Sequence, residues 1–324
     1  MGNRISKKRR LPTISSTSSD NNDGSLSLHS GSRSSEMRVP ITEAEVERQH
    51  YLHFLLKHIF QTNYFAPIDP LVAKQQQQHS DGSMMALDIS GGYCPTWLME
   101  MGQVFPQVQF HGVDANESIP LYESKHVPGN VHFEKSNILD HLDYPDNTFF
   151  YAHQRMMYFC YYGDDIPHVF SELKRVVKPD GWVELMETDV IPKRAGPMFK
   201  QLLEIAAYHL KARQQLYHGP ALVRVLKENG FQDVTGDYRS IPVCWGGYIG
   251  KIMYENTLTA LRAIGPIIYQ EVLDTDGDYV QDDYDEFIDK AFDECVTYQT
   301  FFNIHWAYGR KPSATTTTTT TLSR

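Results

Sequence analysis

A carboxylate at the end of an apolar run is the first residue whose position suggests chemistry. Asp88 closes the run that begins at Met84, and a buried carboxylate is costly unless a hydrogen-bonding partner meets it. The small residues Ser90, Gly91 and Gly92 follow at once. Glycine adopts positive φ and lets the backbone come close to a ligand. The stretch therefore predicts a polar ligand lying over a tight turn.

The elements that must position this turn are a buried strand before it and a helix after it. Met84–Asp88 is apolar enough for the strand, and Pro95 suits the first helical position, where its missing N–H is no loss. From Met84 to Val190 the pattern alternates strands and helices, which predicts a right-handed, mainly parallel sheet.

The flanking segments predict further elements. Thr42, with Glu45 three residues on, is typical of a capping box, and the helix that it begins should run to about Gln61. The other predicted helices cover 197–217, 219–229, 247–264 and about 284–298. The segment 133–138 should hold the third strand and its exit, and further strands should cover 231–234 and 302–308.

Four segments, in this order along the chain, resemble the motifs of class I S-adenosylmethionine-dependent methyltransferases. The first is similar to the turn Asp-x-Gly-x-Gly-x-Gly, with Ser90 and Cys94 in place of two of its glycines. The others are Phe110–Asp114, Tyr144–Phe149 with Ala152–Met156, and Leu173–Trp182. The resemblance implies an α/β, Rossmann-like methyltransferase fold: a mainly parallel seven-stranded sheet with an antiparallel last strand and a helical cap.

A narrower resemblance covers residues 42–312. The chain is similar there to fungal methyltransferases of the LaeA-like, secondary-metabolism-regulator type. The segments that carry it are Arg48–His50, Phe65–Ile68, His153–Met157, Gly181–Glu184 and Tyr308–Pro312. In that group the helix before the core lies over the cofactor cleft as a lid. The resemblance does not identify the methyl acceptor.

The resemblance implies a site for S-adenosylmethionine. Asp114 would accept the ribose hydroxyls, because it ends a strand roughly 20 residues past the turn. Asn137 stands where the family usually has an aspartate for the adenine amino group; it keeps a carbonyl acceptor, and Ile138 would pack on the ring. Arg155 would pair with the methionine carboxylate, the alternative being a salt bridge within the domain. The predicted cofactor-binding residues are Asp88, Ser90, Gly91, Gly92, Asp114, Asn137, Ile138 and Arg155.

Methyl transfer requires little of a catalytic residue. The reaction is an in-line displacement that needs donor and nucleophile held collinear, and a base only where the acceptor must lose a proton. The candidates near the carboxyl ends of the fourth and fifth strands are His153, Tyr158 and Glu187. For Tyr158 and Glu187, each taken alone, core packing or helix capping is favoured over a role in orienting the acceptor.

Three functions compete. An active methyltransferase that moves a methyl group to an unidentified acceptor is favoured. A catalytically inactive regulator or scaffold on the same fold is the alternative, and the departures at Ser90, Cys94 and Asn137 support it. A nicotinamide-dependent oxidoreductase lacks support, because the chain has no Gly-x-Gly-x-x-Gly turn.

Two clusters suggest metals and are better explained otherwise. His50, His53 and His58 share one predicted helix, but no carboxylate or cysteine joins them at zinc-site spacing. The loop Asp274–Asp285 has Tyr279 where an EF-hand needs glycine, so an acidic solvated loop is favoured.

Composition restricts partners and location. The net charge of −10 argues against a general nucleic-acid surface, so the expected acceptor is a small molecule or a protein. The four scattered cysteines indicate a reducing intracellular compartment, and no apolar run reaches the ~18 residues that span a bilayer. Gly2 fits N-myristoylation, and Lys7–Arg10 could add peripheral membrane contact or serve as a nuclear signal.

The chain divides into three parts on composition. Residues 1–40 and 313–324 are polar and predict disordered tails. Residues 41–312 form the methyltransferase domain, with its core at 84–190 and cap helices within about 41–68 and 197–298.

Overall fold

The computed structural model describes residues 42–77, 84–89, 94–115, 127–157, 160–161, 163–209 and 218–313. Several predicted features lie outside these ranges: both tails with Gly2, the turn residues Ser90, Gly91 and Gly92, and Tyr158.

The described strands form one seven-stranded sheet in the order β3-β2-β1-β4-β5-β7-β6. Strands β1 to β5 pair in parallel, whereas β7 lies antiparallel between β5 and β6. The predicted fold class is therefore confirmed. The strands are Met84–Asp88, Val108–Asp114, Val131–Lys135, Phe149–Arg155, Val177–Thr188, Gln232–Pro242 and Phe301–Arg310, numbered β1 to β7.

Eight α-helices surround the sheet in the described part of the chain. They are Glu43–Phe60, Asp69–Gln77, Thr96–Val104, Ile166–Val176, Pro197–His209, Leu222–Glu228, Tyr248–Leu273 and Gln281–Tyr298, numbered α1 to α8. The predicted start of α1 is confirmed: the Thr42 side chain accepts a hydrogen bond from the Glu45 backbone N–H at 3.2 Å.

Several predicted boundaries were wrong: β6, for example, continues to Pro242 rather than ending at 234, and two other differences have a local reason. Pro95 precedes α3, because its carbonyl already accepts the first helical bond, from Met99. Strand β3 ends at Lys135, within the segment predicted as the third strand and its exit, and the Asn137 side chain caps the turn that follows. Helix α7 continues through Pro266 to Leu273, because Ile268 and Val272 beyond the proline are buried in the cap.

Three apolar clusters hold the layers together. One lies between the sheet and helices α4 and α6, a second joins α1, α5, α7 and α8, and a third packs α2 and α3 on the sheet. None of the described helices combines the length and the hydropathy that crossing a membrane requires.

Candidate functional site

The carboxyl ends of β1 and β4 bring two buried polar residues together. His153 Nδ1 lies 2.8 Å from Asp88 Oδ1, and both side chains are nearly inaccessible. The Trp97 indole stacks on the His153 imidazole, with ring centroids 3.9 Å apart and an interplanar angle of 6°. Asp88 thus has the polar partner that its burial demands. His153 is held on its face and at one nitrogen, which favours packing and orientation over a role as an exposed base.

A second buried carboxylate fastens the segment after α1 to the sheet. Glu184 lies beside His153 in the β4–β5 pairing. Its Oε2 accepts hydrogen bonds from the backbone N–H groups of Phe65 at 2.8 Å and Ala66 at 2.7 Å. Burial raises the pKa of Glu184, and the nearby His153 charge and the two N–H groups oppose that shift. Glu184 belongs to the segment Gly181–Glu184, which carries the narrower family resemblance, but the sequence did not indicate its contact with Phe65 and Ala66.

Arg155, the last residue of β4, connects to helix α1. Its guanidinium donates to His53 Nδ1 at 3.3 Å, and His53 Nε2 lies 2.9 Å from Glu100 Oε2 on α3. Lys57 Nζ contacts both oxygens of Glu100, at 2.7 and 2.8 Å, and the Asn63 amide donates to Oε2 at 2.9 Å. We call this group of five residues the α1–α3 network. Its one carboxylate, Glu100, meets His53 rather than Arg155.

Electrostatics fix the charges in the α1–α3 network. Burial, followed by the charge of Arg155, lowers the pKa of His53 from 6.5 to about 4, so its ring is neutral at neutral pH. Burial opposes ionisation of Glu100, but hydrogen bonds from Lys57, His53 and Asn63 outweigh it and bring its pKa to about 2. Burial lowers the pKa of Arg155, and the charge of Asp88 partly offsets this. The Arg155 guanidinium nevertheless remains charged at neutral pH, because the ordinary pKa of arginine lies far above neutrality.

Helix α1 is also fixed by two contacts nearer its amino end than this network. His50 Nδ1 lies 2.9 Å from Thr96 Oγ1 in the first turn of α3. Arg48 donates to Asn256 on α7 at 3.0 Å and pairs with Glu45. His50 and His53 therefore have protein partners, and the described residues contain no group of three ligands able to hold a metal. Sequence reasoning missed His53 and Glu100 as site residues; their only signal was three histidines on one helix.

The ribose and adenine candidates lie along the same edge. Asp114 ends β2, is partly buried, and its carbonyl accepts from the Ser136 N–H at 2.9 Å. Asn137 Oδ1 accepts from the Leu139 N–H at 3.1 Å, so the carbonyl predicted for adenine already caps a turn. Ile138 is 3% exposed and packs in the cluster under α4. The structure thus brings Asp88, Asp114 and Arg155 to neighbouring strand ends and assigns Asn137 and Ile138 local structural contacts.

Glu187 lies at the end of β5 and has no solvent exposure. Its Oε1 accepts from the Met157 backbone N–H at 2.7 Å, just beyond β4. This contact fixes the backbone immediately before Tyr158, and it fits the structural alternative for Glu187.

A second aspartate–histidine pair, which sequence reasoning missed, joins Asp189, just past the end of β5, to His305 in the middle of β7. His305 Nε2 is 3.0 Å from Asp189 Oδ1, and Lys193 Nζ is 3.4 Å from Asp189 Oδ2. Burial opposes ionisation of Asp189, but the His305 hydrogen bond and the Lys193 charge outweigh it and lower the pKa. The pair was not detectable because its members are separated by 116 residues.

One family and several proteins match this chain. The family described as a methyltransferase domain matches residues 56–235. The N-methyltransferase verN of Clonostachys rogersoniana is 27% identical over 196 residues, which cover 60% of this chain and 64% of that protein. The chain therefore spans less than two thirds of the length of this curated relative.

Solved structures with low identity also align. A phosphoethanolamine N-methyltransferase 2 of Haemonchus contortus, solved with phosphomonomethylethanolamine and S-adenosylhomocysteine, has 16% identity and a TM-score of 0.44, covering 83% of this chain and 59% of that one. A SAM-dependent methyltransferase of Archaeoglobus fulgidus has 14% identity and a TM-score of 0.42, covering 80% of this chain and 99% of that one.

Proposed function

The chain belongs to the methyltransferase-domain family, and on that premise we propose that it transfers a methyl group from S-adenosylmethionine to an acceptor other than a nucleic acid. The excluded acceptor follows from the net charge of −10, since phosphate backbones require a basic surface. The motifs in the sequence support a LaeA-like lineage within the family. The name of the 27% identical relative makes nitrogen compounds the first acceptors to assay.

One observation carries the donor proposal: the Arg155 guanidinium lies partly buried at the strand edge, where it donates to a neutral imidazole, that of His53. A partly buried guanidinium held by a neutral acceptor keeps its charge and can bind a carboxylate with two parallel hydrogen bonds. The methyl donor carries such a carboxylate. The charge of Asp88 helps to keep Arg155 protonated, while Asp88 Oδ1 itself is held by His153.

The chemical groups of the site residues match those of the methyl donor. Asp114 offers a carboxylate for the two ribose hydroxyls, and Arg155 a cation for the carboxylate at the other end. When bound, the donor supplies an electrophilic methyl group on a sulfonium. The protein's contribution is to bind, orient and exclude water, because collinear placement of donor and acceptor provides most of the rate.

The inactive scaffold is the competing function. The observation that favours it is Asn137, whose side-chain carbonyl already accepts from Leu139. A carbonyl oxygen has a second lone pair, so this contact weakens an adenine interaction without excluding it.

Titration calorimetry of the full chain with S-adenosylhomocysteine tests the proposal. One-site binding is expected, and absence of both heat and thermal protection at saturating concentration would contradict it. Transfer is then measured with S-adenosylmethionine labelled on the methyl carbon and an extract of the source organism. Binding without any labelled product would favour the scaffold.

A further inference from the structure

Arg155 needs a partner that fixes its direction without removing its charge. A long arginine side chain samples many rotamers, and immobilising it costs conformational entropy. A carboxylate in contact with the guanidinium would fix it but would compete with an anionic ligand. A neutral acceptor fixes it and leaves the charge available. His53 is such an acceptor, with a pKa of about 4 and 1% of its side chain exposed.

Glu100 determines which nitrogen of His53 carries the proton. The carboxylate of Glu100 is ionised and can only accept, so the His53 proton must be on Nε2, 2.9 Å from it. Nδ1 then carries a bare lone pair, and the Arg155 guanidinium lies 3.3 Å away. Lys57 and Asn63 hold Glu100 from its other sides. Each member of the α1–α3 network therefore fixes the next, and the sequence of contacts ends at Arg155.

We propose that His53 is a positioning residue, which through Nδ1 directs the Arg155 guanidinium to the carboxylate of the methyl donor. The inference rests on the proposed function. It also gives helix α1 a specific role, because α1 supplies the acceptor that aligns a donor-binding group on β4. Since His50, three residues earlier, contacts Thr96, the same face of α1 is also held at the start of α3.

Two substitutions separate the two nitrogens of His53. An asparagine places its carbonyl near the position of Nδ1, so His53→Asn keeps an acceptor for Arg155 and loses the contact with Glu100. A glutamine places its amide near the position of Nε2, so His53→Gln keeps the donor to Glu100 and loses the acceptor for Arg155. Thermal unfolding of both variants checks that each is folded.

The probes are S-adenosylhomocysteine and 5′-methylthioadenosine, which lacks the amino-acid end and hence the carboxylate. We expect His53→Gln to bind S-adenosylhomocysteine about 5- to 20-fold more weakly, the scale of misaligning one charge-assisted hydrogen bond. His53→Asn should restore most of that affinity. Neither change should alter 5′-methylthioadenosine binding, and His53→Gln should cost nothing further in an Arg155→Gln background.

The outcomes separate the two proposals. If wild type binds neither probe, the proposed function fails. If wild type binds S-adenosylhomocysteine and His53→Gln binds it equally well, only the positioning role fails. That role also fails if His53→Asn binds S-adenosylhomocysteine more weakly than His53→Gln does. It fails equally if His53→Gln lowers the affinity for both probes by the same factor. Either result would mean that His53 supports the structure only through its contact with Glu100.

Discussion

At the residue scale, Asp114 offers the most direct test of the donor site. A carboxylate can accept from both ribose hydroxyls, and alanine can accept from neither. We expect Asp114→Ala to weaken S-adenosylhomocysteine binding by about 1–3 kcal/mol, the cost of losing hydrogen bonds to a charged group. Calorimetric titration measures it, with Asp114→Asn as the control that keeps the shape and one acceptor. Unchanged affinity in a folded Asp114→Ala protein would remove the ribose assignment.

Glu100 should make stability depend on pH. Its pKa in the folded protein is about 2, against an ordinary value of 4.5. A lowered pKa means that its contribution is present above about pH 5 and is lost as the pH falls toward 2. Relative to Glu100→Gln, wild type should therefore be more stable at pH 7, by at most about 3 kcal/mol, and the difference should shrink by about pH 3.5. Urea unfolding at both pH values measures this; a difference independent of pH would mean that the Glu100 charge is not involved.

For each contact in the site, the sequence indicated one of the two residues but not its partner. The burial of Asp88 demands a partner, yet nothing local indicates that the partner is His153, 65 residues away. The histidines of α1 suggested metal ligation because the sequence shows their spacing on one helix. It does not show that Glu100 and Arg155 approach from α3 and β4. Contacts of this separation are set by the fold, which local patterns do not encode.

At the element scale, the packing of α7 against α8 depends on a glycine. A Cβ at Gly265 would lie 2.6 Å from Tyr284 Cε1, and Tyr284 cannot withdraw readily because it is fully buried and its hydroxyl donates to the Leu261 carbonyl at 3.0 Å. We expect Gly265→Ala to destabilise the protein by about 1–3 kcal/mol despite the better helix propensity of alanine.

The matched control for that substitution is Gly129→Ala, because a Cβ at Gly129 would meet nothing within 4 Å. It should change the free energy of unfolding by less than about 0.5 kcal/mol. Urea unfolding of the two variants beside wild type measures both effects. Equal stability of Gly265→Ala and wild type would show that α8 can shift without cost.

Element ends follow the sequence where a single local interaction decides them. Thr42 begins α1 through its own side chain, and Gly230, at φ +78°, follows α6 as the Asn229–Gly230 pair predicted. Pro266 lies just past the predicted helix end at 264, and a proline removes a helical hydrogen bond. Burial on both sides of it outweighed that loss. Local sequence patterns therefore predict the end of an element better where one capping interaction decides it than where burial of the following residues decides it.

At the scale of the whole molecule, one strand joins all three apolar clusters. Leu185 of β5 belongs to the cluster under α4 and α6, Met186 to the cap cluster, and Trp182 packs on the cluster of α2 and α3. The cap helices therefore share a strand with the core, and we expect the folded domain to unfold in a single cooperative transition.

Two probes can check that expectation. Tryptophan fluorescence reports on Trp97 in the α2–α3 cluster and Trp306 beside the cap cluster, while far-ultraviolet circular dichroism reports on all helices. Their urea transitions should coincide. Separate midpoints would mean that the cap unfolds before the sheet. The resemblance of the motifs predicted the mainly parallel sheet and its antiparallel last strand, whereas the ten-residue length of β7 was not predicted.

The placement of β7 has a consequence for how the protein is made. Strand β6 pairs with β7 alone among the described strands, and β7 separates it from β5. Translation proceeds from the amino end, so β6 and the whole of α7 and α8 emerge before the strand that ties them to the sheet. Until β7 emerges, the backbone N–H and C=O groups along the outer edge of β5 are unpaired, and they can form hydrogen bonds with strands of other nascent chains. The seven-stranded sheet is complete only when residues 301–310 have left the ribosome.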